Sequence, residues 1–404
     1  QRLLVKILAE QNVSAEIFIH KYTIEMAIGA GENYASDVYR VKCEYSKKSE
    51  NRELLQTSFI VKSMPDIGTR TSLLQYDYYG RETKVLSELI PAYSKYSKET
   101  FSPRLLHSQR EPFKFLILED LTLQNYKLGD RKCGLDFEHA KLVMNKTGKL
   151  HAASLLYLQD NNDKLDKIKC DFKTKFYDPT LDNSFFDIVT KNGMKSFVNL
   201  VEARKNYFPR GFMEKLKNIE NESMERDAKA YQQPGKVNVI THGDLWITNV
   251  MFKYDEETGK PIDVLLLDYQ ASSYGSPGLD LNHFLYLSLQ PDTYAKNLDN
   301  LLKIYYEGFY EVLDKAEYKN IPTFDDMFNE FEDKAYHGFS AAALILPIIS
   351  GDKTTESTTG GDQLDALVDE ELSTSLRNSA YNNENYLNRI KCPMERFARL
   401  NIFD

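Results

Sequence analysis

The chain has 404 residues, of which 42% are hydrophobic and 27% charged, a balance that excludes disordered, collagenous and fibrous proteins. Asp plus Glu number 60 against 51 Lys plus Arg, a net charge of -9, and an acidic chain repels a phosphate backbone, so nucleic acid is not an expected partner. The four cysteines, at positions 43, 133, 170 and 392, form no CxxC pair and read as a reduced cytoplasmic protein rather than a disulfide scaffold.

Taken in order, residues 1–28 have helical spacing, with Leu3, Leu4, Ile7, Leu8, Ile17, Phe18, Ile24 and Ile28 as the apolar positions. A glycine cluster follows at Gly29-Ala-Gly31-Glu-Asn33-Tyr34-Ala-Ser36. Val38 to Tyr45 alternates as a strand, 46–54 is a polar turn, and Ser58-Phe-Ile-Val-Lys62 is a second strand before Pro65. Residues 75–90 return to helical spacing, and Phe115-Leu-Ile-Leu-Glu119-Asp-Leu121 is an apolar strand. The first lobe is therefore expected over 1–121, the second over 122–404, and the fold class is α+β: a small antiparallel sheet lobe followed by a large helical one.

In the second part Phe137–Leu158 is one long helix, and 161–235 holds helices broken by Pro179, Pro209 and Pro234. Val250–Tyr254 and Ile262–Asp268 read as a strand hairpin around Asp255-Glu-Glu-Thr-Gly259. Helices fill 280–345, a Ser/Thr/Gly/Asp-rich loop spans 350–362, and helical spacing resumes over 363–400. Ala341 to Ile349, the longest apolar stretch, is interrupted by Pro347 and is about half the ~20 residues that span a bilayer. It reads as a buried helix end, with no membrane span.

The strongest chemical signal is His242-Gly243-Asp244-Leu245-Trp246-Ile247-Thr248-Asn249. An Asp followed five residues later by Asn matches the catalytic loop of kinases, where the carboxylate accepts a hydroxyl proton and the amide oxygen helps to hold magnesium. The structural alternative is a capped turn with Asp244 at its start. Asp268 ends an apolar strand that a hairpin returns to this loop, a position suited to a metal ligand. Asp280, in Gly278-Leu-Asp-Leu281, reads as a helix cap or loop anchor.

The glycine cluster lacks a following Gly-Lys-Ser/Thr and is no Walker A loop. Opening a strand hairpin, Gly29 and Gly31 fit a phosphate-covering loop, with Asn33, Tyr34 and Ser36 as polar contacts. Lys62 on its apolar strand resembles the lysine that pairs with the α/β-phosphates, and its partner is Glu82, with Glu88 as fallback. Backbone groups near Glu119 and Leu121 are placed to hydrogen-bond adenine. His151 on the long helix reads as a packed core histidine.

In sequence these features run glycine loop, strand Lys, helix Glu, hinge, HGD-x4-N and strand-end Asp. His242-Gly-Asp-Leu-Trp246 with Asn249, Leu267-Asp-Tyr-Gln270, Leu118-Glu-Asp-Leu121 and Gly31-Glu-Asn-Tyr-Ala-Ser36 resemble the ecdysteroid kinase-like (CHK kinase-like) family of arthropods, related to choline kinases and aminoglycoside phosphotransferases. The resemblance implies a bilobal protein-kinase-like fold with ATP and Mg2+ in the cleft. It implies Asp244 as catalytic base, Asn249 and Asp268 as magnesium ligands, and Lys62, held by Glu82, on the ATP phosphates. It also implies a small-molecule alcohol as acceptor, with an ecdysteroid or related steroid first.

The 26 Tyr and 22 Phe agree with an apolar acceptor, in that Phe284, Tyr286, Tyr305, Tyr306, Phe309, Tyr310, Phe328, Phe331 and Tyr336 are available to wall a slot; helical core packing is expected to claim most of them. A kinase for another alcohol such as choline, or a nucleotide-binding pseudokinase, is the alternative. A protein kinase fits less well: Gly243 stands where an Arg reads an activation-loop phosphate, and little chain separates Asp268 from Asp280 for a peptide platform.

Overall fold

The computed structural model describes residues 1–404 apart from 13–15, 28–35, 49–52, 65–67, 176–177, 179, 183, 352–369, 401 and 404. A five-stranded antiparallel sheet comes first: β1 (Ile17–Met26), β2 (Asp37–Lys47), β3 (Leu55–Ser63), β4 (Leu105–Gln109) and β5 (Phe115–Glu119), in the order β1-β2-β3-β5-β4. Strand parity divides its residues between two environments, because successive side chains point to opposite faces. Val41, Cys43 and Tyr45 on β2, Phe59 on β3 and Ile117 on β5 pack with Leu4, Ile7 and Leu8 of the helix Arg2–Gln11. Val38, Arg40, Ile60, Lys62 and Leu118 turn the other way, into the interlobe cleft. The register aligns them, Val38 against Lys62, Arg40 against Ile60 and Ile60 against Leu118.

The expectation of helix throughout 1–28 is corrected here. Helix covers Arg2–Gln11, and Ile17–Met26 is strand β1, paired antiparallel with β2 from Ile17↔Lys47 to Met26↔Tyr39. The β-branched and aromatic content of this segment (Ile17, Phe18, Ile19, Tyr22, Thr23, Ile24) suits a pleated surface, and β2 supplies a partner. The widely spaced apolar positions that mimicked a helix belong to two elements.

On the far side of the cleft, β6 (Tyr126–Leu128), β8 (Val250–Tyr254) and β9 (Pro261–Leu266) form a three-stranded sheet, and β7 (Val239–Ile240) pairs with β10 (Tyr274–Gly275). The β8–β9 hairpin turns through 255–260, where Asp255 accepts from Thr258 N at 2.8 Å. Helices supply the rest of this part of the chain. Phe137–Asp160 is its central rod, packed along Pro291–Lys315 so closely that a Cβ on Gly148 would lie 2.1 Å from Tyr305 O. Gly278–Ser288 is buried along its whole length. In the helical turn Ala341–Ile345 the three alanines are buried while Ile345 is exposed, and no described helix is long and apolar enough to cross a membrane. This is the architecture of a protein-kinase-like fold: an antiparallel sheet lobe, a helical lobe and a cleft between them.

Candidate active site

The cleft encloses about 920 Å³, within the range of small-molecule sites. Its roof is the inward parity of β2, β3 and β5; its back is the chain from Leu118 to Thr122; its floor includes Thr248, Asn249, Met251 and Leu266 to Tyr269.

Lys62 Nζ lies at the centre, 2.7 Å from Glu82 Oε2 and 2.7 Å from Asp268 Oδ1. Glu82 comes from the helix Tyr78–Lys84, which Asp77 caps and which runs on through Val85–Leu89 into Ile90–Ser97. Of the two glutamates weighed for Lys62, Glu82 is buried against it and Glu88 is exposed. Burial works against the Lys62 charge, but Asp268 and Glu82 together hold its ammonium above the ordinary value. Burial pushes the Glu82 carboxyl up to about 7, with Lys62 pulling against the shift and Asp268 adding to it. One cation thus serves two carboxylates in a site from which water is largely excluded.

Asp268 follows β9 and holds a left-handed backbone, φ 66°. The turn aims its carboxylate back at Lys62. Asn249 closes the short helical turn Ile247–Asn249, and its Nδ2 donates to Asp244 O at 2.8 Å and to Asp244 Oδ2 at 2.9 Å. Both contacts use the nitrogen, which leaves Oδ1 for another partner. Asn249 and Asp268 line the cavity, whereas Asp244 does not. Thr248 Oγ1, from a residue on the cavity wall, is buried without a hydrogen-bond partner.

The backbone of the loop explains its glycine. Gly243 has φ 85°, and a Cβ there would lie 2.1 Å from Ala271 O. No side chain fits, so the position that bears Arg in protein kinases is closed to it. Asp280 fixes this turn: its Oδ2 accepts from His242 N at 2.6 Å, its Oδ1 from Gly243 N at 2.8 Å, and His151 Nε2 lies 3.0 Å from Oδ2. Burial disfavours the Asp280 charge, but the His151 contact and the main-chain donors hold the carboxyl below its usual range. His151 is fully buried, and its other nitrogen is 2.9 Å from Tyr305 Oη. These two residues are the scaffold of the loop, as an anchor and a core histidine.

Asp244 is likewise held low. Burial opposes its ionisation, and His283, His242 and Asn249 overcome that. His283 Nε2 lies 3.4 Å from Asp244 Oδ1. Burial first, then neighbouring charges that include Asp244, raise the hydroxyls of Tyr78 and Tyr231, which places aromatic groups within the field of this carboxylate.

At the back of the cleft Asp120 is buried, accepting from Ser58 Oγ at 2.6 Å and Arg40 Nε at 2.7 Å. It joins β2 and β3 to the connection between lobes. Glu119 and Leu121 both line the cavity; the Glu119 N–H is taken by Arg104 O at 3.0 Å. Ser36, just before β2, has its hydroxyl buried and unpartnered. Gly29, Gly31, Asn33 and Tyr34 lie outside the described residues.

Core packing claims most of the aromatic candidates, as expected from the sequence. Phe284, Tyr286, Tyr305, Phe309, Phe331 and Tyr336 are buried in the helical core, Tyr310 is exposed, and none of the nine lines the cleft. Three residues near the loop went unread: His283, His337 and Asp227. His283 lies one turn beyond Asp280 on the same helix face, an i, i+3 pairing visible in the sequence once Asp280 is known as the anchor.

A family model matches residues 30–318, described as the ecdysteroid kinase-like family. The chain belongs to the ecdysteroid kinase-like family. With that membership it is a small-molecule kinase, a phosphotransferase with an alcohol group as acceptor. Similar solved structures include choline kinase from Cryptosporidium parvum, 12% identical, covering 95% of this chain and 94% of that one with a TM-score of 0.43. An ethanolamine kinase from Plasmodium vivax is also 12% identical, covering 92% and 81%, with a TM-score of 0.45. An aminoglycoside phosphotransferase from Streptomyces rimosus is 14% identical, covering 84% and 97%, with a TM-score of 0.30. No curated relative matches the sequence.

Proposed function

We propose that this family member transfers the γ-phosphate of ATP to a hydroxyl of a small, mostly apolar molecule, with an ecdysteroid or related steroid as the leading class. The observation that carries the reading is Lys62, bridged to Glu82 and Asp268 at 2.7 Å each on the wall of a 920 Å³ cleft. A buried cation with two carboxylates makes a phosphate site whose charge is ready before the ligand arrives.

The donor set suits magnesium nucleotide. Among the described residues no three His, Cys, Asp or Glu side chains cluster as a metal cage, which fits a cation held by one or two protein oxygens plus phosphates. Asn249 Oδ1 and Asp268 are the ligands in this reading, and the unpartnered Thr248 hydroxyl beside them is a donor for phosphate. Bound Mg-ATP supplies the phosphoryl group and offsets its charge.

The protein's own groups do the rest. Lys62 pairs with the α/β-phosphates and Glu82 fixes its direction. The glycine segment with Gly29, Gly31, Asn33, Tyr34 and Ser36 covers the phosphates. Backbone groups at Glu119 and Leu121 receive adenine. Asp244, kept ionised and held by Asn249, accepts the proton of the acceptor hydroxyl as the hydroxyl oxygen bonds to the γ-phosphorus and the bond from that phosphorus to the β-phosphate oxygen breaks, releasing ADP. Asp244 does not line the nucleotide cavity, so in this reading the acceptor hydroxyl reaches it from beyond that wall. The further acids whose charge reaches Tyr231 are already engaged: Asp227 by His337 at 3.0 Å and Ser340 at 2.9 Å, and Asp280 by the His242 and Gly243 main chain. A cationic acceptor such as choline would lack a free carboxylate in this set, which supports a neutral one.

Incubation with Mg-ATP and a panel of steroids, choline and aminoglycosides, followed by mass spectrometry, tests this. A gain of one phosphate on a steroid is the expected result. Phosphorylation of choline or an aminoglycoside alone would overturn the acceptor class, and absence of nucleotide binding would overturn the site assignment.

A further inference from the structure

Asp244 has two oxygens, and each faces a different protein group. Oδ2 accepts from Asn249 Nδ2 at 2.9 Å, within the loop itself. Oδ1 faces His283 Nε2 at 3.4 Å, from the buried helix Gly278–Ser288. That helix touches the loop twice from one face: Asp280 through the main chain of His242 and Gly243, and His283, one turn later, through the carboxylate.

The surroundings of His283 fix how it can act. Its side chain is only 9% exposed. Its Nδ1 is buried and has no hydrogen-bond partner. A proton there would be unsatisfied, so the proton of a singly protonated ring belongs on Nε2, facing Asp244. The ring cannot swing freely, because His337 stacks on it with centroids 5.6 Å apart and planes 11° apart. His337 is fixed in turn: Nδ1 lies 3.0 Å from Asp227 Oδ1, Nε2 lies 3.5 Å from Tyr231 Oη, and Asp227 also accepts from Ser340. Among the described residues the titratable groups on this side include Asp244 and His242 from the loop, Asp280 one turn earlier on the same helix, His337 and Tyr231 from two packed helices, and Asp227 behind them.

We infer that His283 is a positioning residue for phosphoryl transfer, donating from Nε2 to Asp244 Oδ1 so that the carboxylate presents a fixed face to the acceptor hydroxyl, with His337 as the plate that keeps the imidazole in plane. The inference rests on the reading of Asp244 as the base. At 3.4 Å the contact is long for a hydrogen bond, and catalytic hydrogen bonds of this kind tighten in the productive complex. With Asn249 on one oxygen and His283 on the other, rotation of the carboxylate about its Cβ–Cγ bond is blocked from both sides.

The test is a double-mutant cycle on the purified protein with Mg-ATP and its best alcohol acceptor. His283→Ala should lower kcat about 10–100-fold, the range for loss of one hydrogen bond to a charged group, with KM for ATP unchanged because His283 is off the nucleotide wall. His283→Gln, which retains an N–H near the Nε2 position, should recover most of that loss. In an Asp244→Asn background, His283→Ala should add little, since the residue acts through the carboxylate. Circular dichroism and nucleotide calorimetry confirm that each variant is folded and loaded. Additive effects in the cycle, or a Gln variant as slow as the Ala variant, would overturn the positioning role. If Asp244→Asn itself runs at the wild-type rate, the reading of the base fails instead, and the cycle distinguishes the two.

Discussion

Lys62 on β3 and Asp268 beyond β9 are 206 positions apart in the chain, and Nζ and Oδ1 meet at 2.7 Å. The contact joins the roof of the cleft to its floor. Neither residue could stay buried and charged without a partner, because an isolated ion in such a place is strongly destabilising. The pair therefore ties the closeness of the two lobes to the charge state of the site.

Replacing Lys62 with Met keeps the side-chain bulk and removes the cation. ATP affinity, measured by calorimetry with magnesium present, is expected to fall roughly tenfold or more, as charge-assisted contacts to phosphate are lost. Thermal stability should fall as well, since Glu82 and Asp268 are left facing each other. An unchanged dissociation constant would remove Lys62 from the nucleotide site.

For Asp244→Asn the expected loss is about 10²–10⁴-fold in turnover, the span for a positioned general base, with ATP binding retained because Asp244 is not on the nucleotide wall. Stopped-flow or coupled-assay rates beside calorimetry make the comparison. Equal turnover in the two proteins would exclude this carboxylate as base.

Gly243→Ala tests the loop backbone. The residue sits at φ 85° with Ala271 O at 2.1 Å from an added Cβ, so both the left-handed conformation and the contact oppose the change. A destabilisation of about 2 kcal/mol or more is expected, together with loss of activity, read by denaturant melts and by rate. A variant as stable as wild type would mean that the loop can shift away from Ala271.

Asp280 gives a pH signature. Its carboxyl is held below the ordinary value in the folded protein, so its contribution is complete above about pH 4, near the unfolded value, and disappears as pH falls through the folded one. Asp280→Asn is expected to cost roughly 3–5 kcal/mol at neutral pH, the range for breaking a buried charged contact. The gap between variant and wild type should narrow as melts are taken to lower pH below 4. A gap that stayed constant with pH would show that charge is not what Asp280 contributes.

The site was legible where its chemistry is local. His242 to Asn249 is contiguous, and the Asp244–Asn249 contact within it follows from a five-residue spacing that one short turn can close. The Lys62–Glu82 pair was readable because a strand lysine needs a nearby helix acid. What escaped needed three dimensions. His283, His337 and Asp227 come from three separate helices, and no spacing links them. Composition counts aromatic rings but does not place them: core packing was expected to take most of the nine, and Tyr305 and Phe309 pack against the Phe137–Asp160 helix instead of the cleft. Strand β1 was missed because the sparse apolar positions of 17–28 satisfy either period until β2 is set beside them.

Arg81 gives the helix that carries Glu82 an allegiance. Its guanidinium donates to Ser272 O at 2.8 Å and to Lys173 O at 3.0 Å, and Lys84 one turn on pairs with Asp171. All three of these partners belong to the larger lobe, although the helix is threaded into the sequence of the smaller one. Lys62 and Glu82 thus meet from elements with different attachments, and their 2.7 Å contact is one of the seams at which the sheet is fastened to the larger lobe.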